Sequence, residues 1–294
     1  MEILKILENT SAIIILALLF GLIFDFSIFR DYLSIFLIIA MCFSLVNFQF
    51  DFKISRDVKR AINLLFVNYV LLSLFILIPS FLLLEERDYL IGFIILCALP
   101  PAVIAIPYTH VFRGDKKSSL LAEILGYLIA IILIPFVFYL LFRESVDVIY
   151  ILFQLVLFII LPMIISRFLI HLKKIYKVDK FHENKIVNIS IFLLNATILS
   201  TNKQSILSLV RFHPIWIILI IRLLVPFIVH FIYEKKKVED NYVVSTTIFS
   251  SVKNNTLGMV IVLNSFYPSV AIPLILSNIL GVVNPLIFGF LFRR

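Results

Sequence analysis

The chain has 294 residues, 62% of them apolar and only 15% charged, and 26 Lys and Arg against 18 Asp and Glu give it a net charge of +8. Soluble domains are nearer half apolar and a quarter charged, so this composition excludes a soluble enzyme, a secreted disulfide scaffold and a disordered tail. A mean hydropathy of +1.10 leaves an all-α integral membrane protein with short loops, because a spanning helix uses about 20 apolar residues.

Ten apolar segments follow one another, at about 10–29, 32–50, 61–84, 89–112, 118–142, 146–170, 186–202, 214–233, 242–263 and 268–292. Backbone groups in lipid must be paired within the chain, so each segment predicts a helix. The seventh is the least apolar, carrying Asn188, Asn195, Thr197 and Asn202. The first lacks a small-residue cleavage site after it and reads as a retained span rather than a removed signal peptide. Cys42 and Cys97 fall inside apolar segments without metal or redox spacing, and the five His are scattered. Neither set predicts a metal site.

Orientation follows from Lys and Arg. With both ends placed in the cytoplasm, the inner loops collect nineteen of them, including Lys5, Lys53–Arg60, Arg113–Lys117, Arg167–Lys185, Lys235–Lys237 and Arg293–Arg294. The outer loops hold five, Arg30, Arg87, Arg143, Lys203 and Arg211. This asymmetry predicts a multi-pass cell-membrane protein with N- and C-termini inside and an even number of spans. The longest loop, about 171–185, is basic and separates two sets of five spans. Five is odd, so the second set enters from the opposite side. A single transporter domain over 1–294 is expected, with inverted repeats at about 1–145 and 146–294.

Carrier sites favour helices interrupted near the midplane. The fourth span reads Cys97-Ala98-Leu99-Pro100-Pro101 and carries Pro107 and His110 further on. Each Pro removes a backbone donor; the plainer reading is a proline kink. The ninth span reads Ser250-Ser251-Val252-Lys253-Asn254-Asn255-Thr256. That polar run could also be helix–helix glue, but a mid-span Lys is costly. Three ionisable residues lie within spans, Glu123, Arg222 and Lys253. Glu123 follows Ser119 by one turn on the same face. Arg222 reads either as structural or as a charge for an anionic substrate. His110 is either a substrate contact or a polar residue at headgroup level. Gly126, Gly258, Gly281 and Gly289 are the expected points of close helix contact.

On these residues the chain resembles the bile acid:sodium symporter family and its bacterial and archaeal relatives. The resemblance is carried by Ala98-Leu99-Pro100-Pro101, the Gly114-Asp115 turn, Ser250 to Met259 and the Phe50–Lys53 stretch. It implies ten helices, with broken helices 4 and 9 crossing. It implies a core of spans 3–5 and 8–10, a panel of spans 1, 2, 6 and 7, and substrate bound beside the crossing. Sodium-coupled members place a Ser-Asn pair on the fourth helix, where this chain has Ala105-Ile106. They place an acid and a Gln-Asn pair on the ninth, matching Ser250 and Asn254-Asn255.

Two readings of the ion site follow. Lys253 fills the space of a coupling ion and pairs with Glu123, making transport sodium-independent or proton-coupled. Or one sodium site survives on Glu123, Ser119 and Asn254. Substrate and ion contacts are expected from Lys253, Asn254, Asn255, Thr256, Ser250, Glu123, Ser119, Pro100, Pro101 and His110. The leading function is secondary transport of a small organic anion by alternating access, with Na⁺ or H⁺ as coupling ion and no other cofactor. The alternatives are arsenite efflux, with Cys97 near the proline break, and a channel or receptor-like membrane protein. No catalytic constellation is visible, and neither a nucleic-acid nor a protein partner is expected.

Overall fold

The structure, a computed structural model of the chain, describes residues 10–46, 54–102, 104–142, 148–175, 183–204, 214–265 and 268–292. Phe50–Lys53, Lys5, Arg143, Arg211, Arg293, Arg294 and positions 176–182 of the central basic loop lie outside the described residues. The described residues are helical, with no strand among them.

The helices run, in chain order, α1 Thr10–Ile23, α2 Leu33–Ser44, α3 Ile54–Phe66, α4 Ser73–Leu83, α5 Arg87–Ala98, α6 Ala105–Val111 and α7 Lys116–Phe142. They continue α8 Val148–Leu155, α9 Leu161–Ile175, α10 Glu183–Thr201, α11 Pro214–Lys235, α12 Asp240–Phe249, α13 Asn255–Ser265, α14 Pro268–Gly281 and α15 Asn284–Leu291. Wider π turns, Val67–Leu72 and Val156–Ile160, join α3 to α4 and α8 to α9. The second stands just before Pro162, which offers no amide to the Phe158 carbonyl.

Four helices are long and apolar enough to cross a membrane: Arg56–Leu83, Lys116–Leu141, Ile149–Leu172 and Pro214–Lys235. The pair Pro268–Gly281 and Asn284–Leu291, bent by 41°, makes a fifth. The other expected spans are helical but shorter or interrupted. The first segment stops at Ile23 rather than Phe29. Asp25 folds back there, accepting the Ser27 amide at 2.8 Å, and a 3₁₀ turn over Ser27–Tyr32 follows. This Asx turn offers the backbone an alternative to helix.

The chain divides into two compact units. One comprises residues 1–49 and 147–207; in it α10 packs along α1 and α2, and α9 along α2. The polar residues of α10 turn onto their own helix. Asn195, Thr197 and Asn202 donate to the carbonyls of Ile191, Leu193 and Ile198 at 2.7–2.8 Å, so a polar sequence still makes an apolar-facing helix. The other unit comprises 50–146 and 208–294 and holds both interrupted spans. There α3 packs on α7, α5 on α14, α13 on α14 and α11 on α4 and α12.

Close backbone approach is set by glycines, not all of them the expected ones. A Cβ at Gly126 would meet Pro101 at 2.7 Å, and at Gly258 it would meet Leu99 and Leu274 at 2.5 Å. Gly289 stands in open space, and a Cβ at Gly281 would meet only the Asn284 side-chain nitrogen, at 4.0 Å. Gly21, Gly92 and Gly114 take their place, with neighbours at 2.5–2.8 Å.

Candidate functional site

The site is assembled where two spans stop being helical. In the fourth, α5 ends at Ala98 because Pro100 and Pro101 offer no amides to the Leu96 and Cys97 carbonyls. Leu99, ahead of the prolines, is extended at φ −67° and ψ 147°, as a pre-proline residue prefers. Pro107 breaks nothing: it falls in the first turn of α6, whose amides have no acceptor within the helix. In the ninth, α12 ends at Phe249 and α13 begins at Asn255. The Ser250 and Ser251 hydroxyls donate back to the Thr247 and Ile248 carbonyls at 2.6 and 2.9 Å. Asn254 caps α13, its Oδ1 accepting the Leu257 amide at 3.1 Å.

Every carbonyl freed in a buried segment needs a donor, and tracing those donors defines the site. The Cys97 and Leu99 carbonyls accept from Lys253 Nζ at 2.8 and 3.0 Å. Ser73 Oγ adds a bond to Cys97 O at 3.3 Å. The Pro100 carbonyl accepts the Asn254 amide at 2.8 Å, so the two breaks meet backbone to backbone. At the ninth-span break, Asn68 Nδ2 serves both Phe249 O at 2.7 Å and Val252 O at 2.8 Å. Ser251 O accepts from Arg222 at 2.9 Å.

Lys253 is 2% exposed. Its ammonium lies 4.5 Å from the centre of the Tyr69 ring, a cation–π contact worth about 2 kcal/mol when desolvated. It also rests on the C-terminal end of α5, the negative end of that helix dipole. It does not pair with Glu123. Both Glu123 oxygens are buried without a hydrogen-bond partner; Tyr127, one turn along α7, interacts with the carboxyl. The Tyr127 hydroxyl accepts from Asn254 Nδ2 at 2.9 Å, which links Glu123 to the crossing through one side chain.

The remaining expected residues divide. Asn255 joins the crossing, its Oδ1 accepting from Ser277 Oγ at 3.4 Å. Thr256 is half-buried beside it on α13. Ser250 is wholly buried but turned onto its own helix. Ser119 belongs elsewhere: its hydroxyl bonds Ser245 at 3.0 Å and Thr109 at 3.4 Å. That knot continues to the Gly114-Asp115 turn, where Asp115 N donates to Ser245 Oγ at 2.8 Å and Asp115 accepts from Arg60 at 2.8 Å. So Ser119 and Asn254 commit their side-chain oxygens to other partners, and the trio Glu123, Ser119 and Asn254 is not joined by hydrogen bonds. His110 is exposed in the last turn of α6, apart from the buried cluster.

Asn68, Tyr69, Tyr127 and Ser277 complete the site and were not expected from the sequence. A mid-span Asn and a Tyr four residues after Glu123 were the available signals.

A family model for the SBF-like CPA transporter family matches residues 34–287. The chain belongs to this family, whose members are transporters. Comparison with curated proteins gives no match.

Proposed function

We propose that this chain is a secondary active transporter of a small organic anion, working by alternating access without a mobile sodium ion. The observation that carries this is the seat of Lys253, its ammonium on two backbone carbonyls at the end of a broken helix. Carriers of this kind coordinate their ion with unwound carbonyls and half-helix C-terminal ends. A covalently held cation on those oxygens competes with sodium for them. Ten spans in two inverted repeats, with N- and C-termini cytoplasmic, fit the 19-to-5 distribution of Lys and Arg. The breaks fall in the fourth span of each set of five. The separate packing of spans 1, 2, 6 and 7 and of spans 3–5 and 8–10 supports the panel and core. Glu123 then serves as the group that takes up or releases a proton.

The test is uptake of a panel of small carboxylates and sulfonates into proteoliposomes, with Na⁺ replaced by K⁺ at two pH values. Uptake indifferent to Na⁺ is expected, and a requirement for Na⁺ overturns the reading. Lys253→Gln should alter both rate and ion dependence; transport and ion dependence like wild type would also overturn it. The arsenite alternative gains nothing from Cys97. Its thiol faces the Ser73 carbonyl at 3.8 Å, and its residue enters the site through the backbone oxygen.

A further inference from the structure

The two interrupted spans are finished in the same way. Lys253 closes the end of α5, and Arg222 closes the end of α12. Arg222 lies within α11 and is 3% exposed. Its guanidinium donates to Ser251 O at 2.9 Å, Ser277 O at 3.0 Å and Ser277 Oγ at 2.6 Å. Ser277 Oγ in turn donates to Asn255 Oδ1 at 3.4 Å, reaching the first residue of α13. No carboxylate pairs with Arg222 or Lys253 among the described residues. The buried acid Glu123 faces Tyr127 instead. Two desolvated cations thus take their counter-charge from carbonyl dipoles at helix C-terminal ends.

A buried charge without an ion partner is costly. Helix–helix adhesion alone would be served by a neutral donor such as Asn68, which already satisfies two carbonyls of the same break. Serine and backbone oxygens gathered at a helix end are the ligand set of a small monovalent cation.

We propose that Arg222 is a second built-in cation, occupying an oxygen-lined cation site at the ninth-span break as Lys253 occupies one at the fourth. The pair fills both breaks and leaves no vacancy for an inorganic ion. This extends the reading of Lys253 given above. It predicts that removing the Arg222 side chain creates a site for a small cation, formed by Ser251 O, Ser277 O and Ser277 Oγ.

The experiment is thermal unfolding of the purified full-length protein in choline, K⁺, Na⁺, millimolar guanidinium or millimolar methylammonium at constant ionic strength. Wild type, Arg222→Ala, Arg222→Lys and Lys253→Ala are compared. Wild type should be indifferent to the cation. Arg222→Ala should melt roughly 5–10 °C lower in choline, with at least half of the loss restored by guanidinium. Arg222→Lys, which keeps the charge, should remain indifferent to Na⁺. For Lys253→Ala the restoring ion should be methylammonium and not guanidinium. If guanidinium restores nothing in Arg222→Ala, the Arg222 assignment falls and the Lys253 reading stands. If wild type is itself stabilised by Na⁺, both fall. If Arg222→Ala does not fold in choline, the lysine variant decides: stabilisation by Na⁺ overturns the assignment, and indifference upholds it.

Discussion

The amide of Asn254 donates to the carbonyl of Pro100 at 2.8 Å, among the described residues the one backbone hydrogen bond that joins the two interrupted spans at their breaks. Its side chain caps α13 through Oδ1 and donates to Tyr127 through Nδ2. Asn254→Ala keeps the backbone bond and loses both side-chain bonds. A lost cap costs about 1 kcal/mol, so the melting temperature should fall by a few degrees. Asn254→Asp, which retains the cap acceptor, should fall less. Thermal unfolding of the two variants checks the order.

Asn68 is wholly buried and bonds Phe249 O and Val252 O through one nitrogen. Asn68→Ala leaves both carbonyls without that donor, and an unsatisfied buried acceptor costs about 1–3 kcal/mol. Asn68→Leu should be as damaging as Asn68→Ala despite its better match to lipid. Equal stability of Asn68→Leu and wild type in thermal unfolding would refute this.

Glu123 is 1% exposed, makes no ion pair among the described residues and has Tyr127 against its carboxyl. Burying a carboxylate without a charge partner is costly, and Glu123, unlike Arg222, closes no helix end. Glu123→Gln should therefore melt at or slightly above the wild-type temperature while its uptake loses dependence on pH. A less stable variant with unchanged pH dependence would assign Glu123 to packing alone.

Gly92 on α5 meets backbone. A Cβ there would lie 2.5 Å from the Val270 carbonyl oxygen and 2.8 Å from Pro273 Cγ. Neither atom is the end of a flexible side chain, so Gly92→Ala must push α5 and α14 apart, at about 1–3 kcal/mol. Gly289→Ala, with nothing within 4 Å, should be silent. Parallel thermal melts would separate the two glycines.

A clamp of Arg56 and Arg60 with Asp115 and Glu239 ties α3 to the turns before α7 and α12. Burial pushes the Asp115 carboxyl up, but hydrogen bonds from Arg60 and Ser118 outweigh it and hold it below its ordinary value of 3.8. Hydrogen bonds from Arg60 and then Arg56 hold Glu239 below 4.5. Lowered carboxyls stabilise the fold fully above their unfolded values and lose that contribution as pH falls through the folded ones. The clamp should therefore add nothing to pH dependence from about pH 5 upward and weaken below about pH 4. Arg60→Met should flatten that acid limb of the stability curve.

Much of this was legible in the sequence, and the physical reason marks where legibility stopped. Pro100, Pro101 and the run Ser250–Thr256 pointed to the breaks, because missing amides and polar side chains interrupt an apolar span, although a proline kink and helix–helix glue were plainer readings of the same residues. The partner of Lys253 was not legible. A lone Lys and a lone Glu in apolar segments suggest each other, yet the stronger demand came from backbone carbonyls, which every residue carries and no sequence displays. Ser119 misled for a related reason. One turn from Glu123 it shares a helix face, but its hydroxyl is drawn to Ser245 and Thr109, whose nearness is set by folding. Close-contact glycines were equally hidden, since neighbours rather than spacing distinguish Gly92 from Gly289.

The π turn at Val67–Leu72 leaves a mark of its own in the order of side chains. Leu64, Asn68, Leu72, Ile76 and Ser80 are all fully buried, at a strict spacing of four. In an unbroken α-helix such a row drifts by about 40° at each step, or roughly 160° from Leu64 to Ser80, and would wind from the interior to the lipid. The wider turn unwinds part of that drift and keeps the row on one flank. The span thus carries one residue more than an α-helix needs, and deleting Val70 should let the turn close to α with Ser73 still beside Cys97, whereas the same deletion within α4 should rotate everything beyond it.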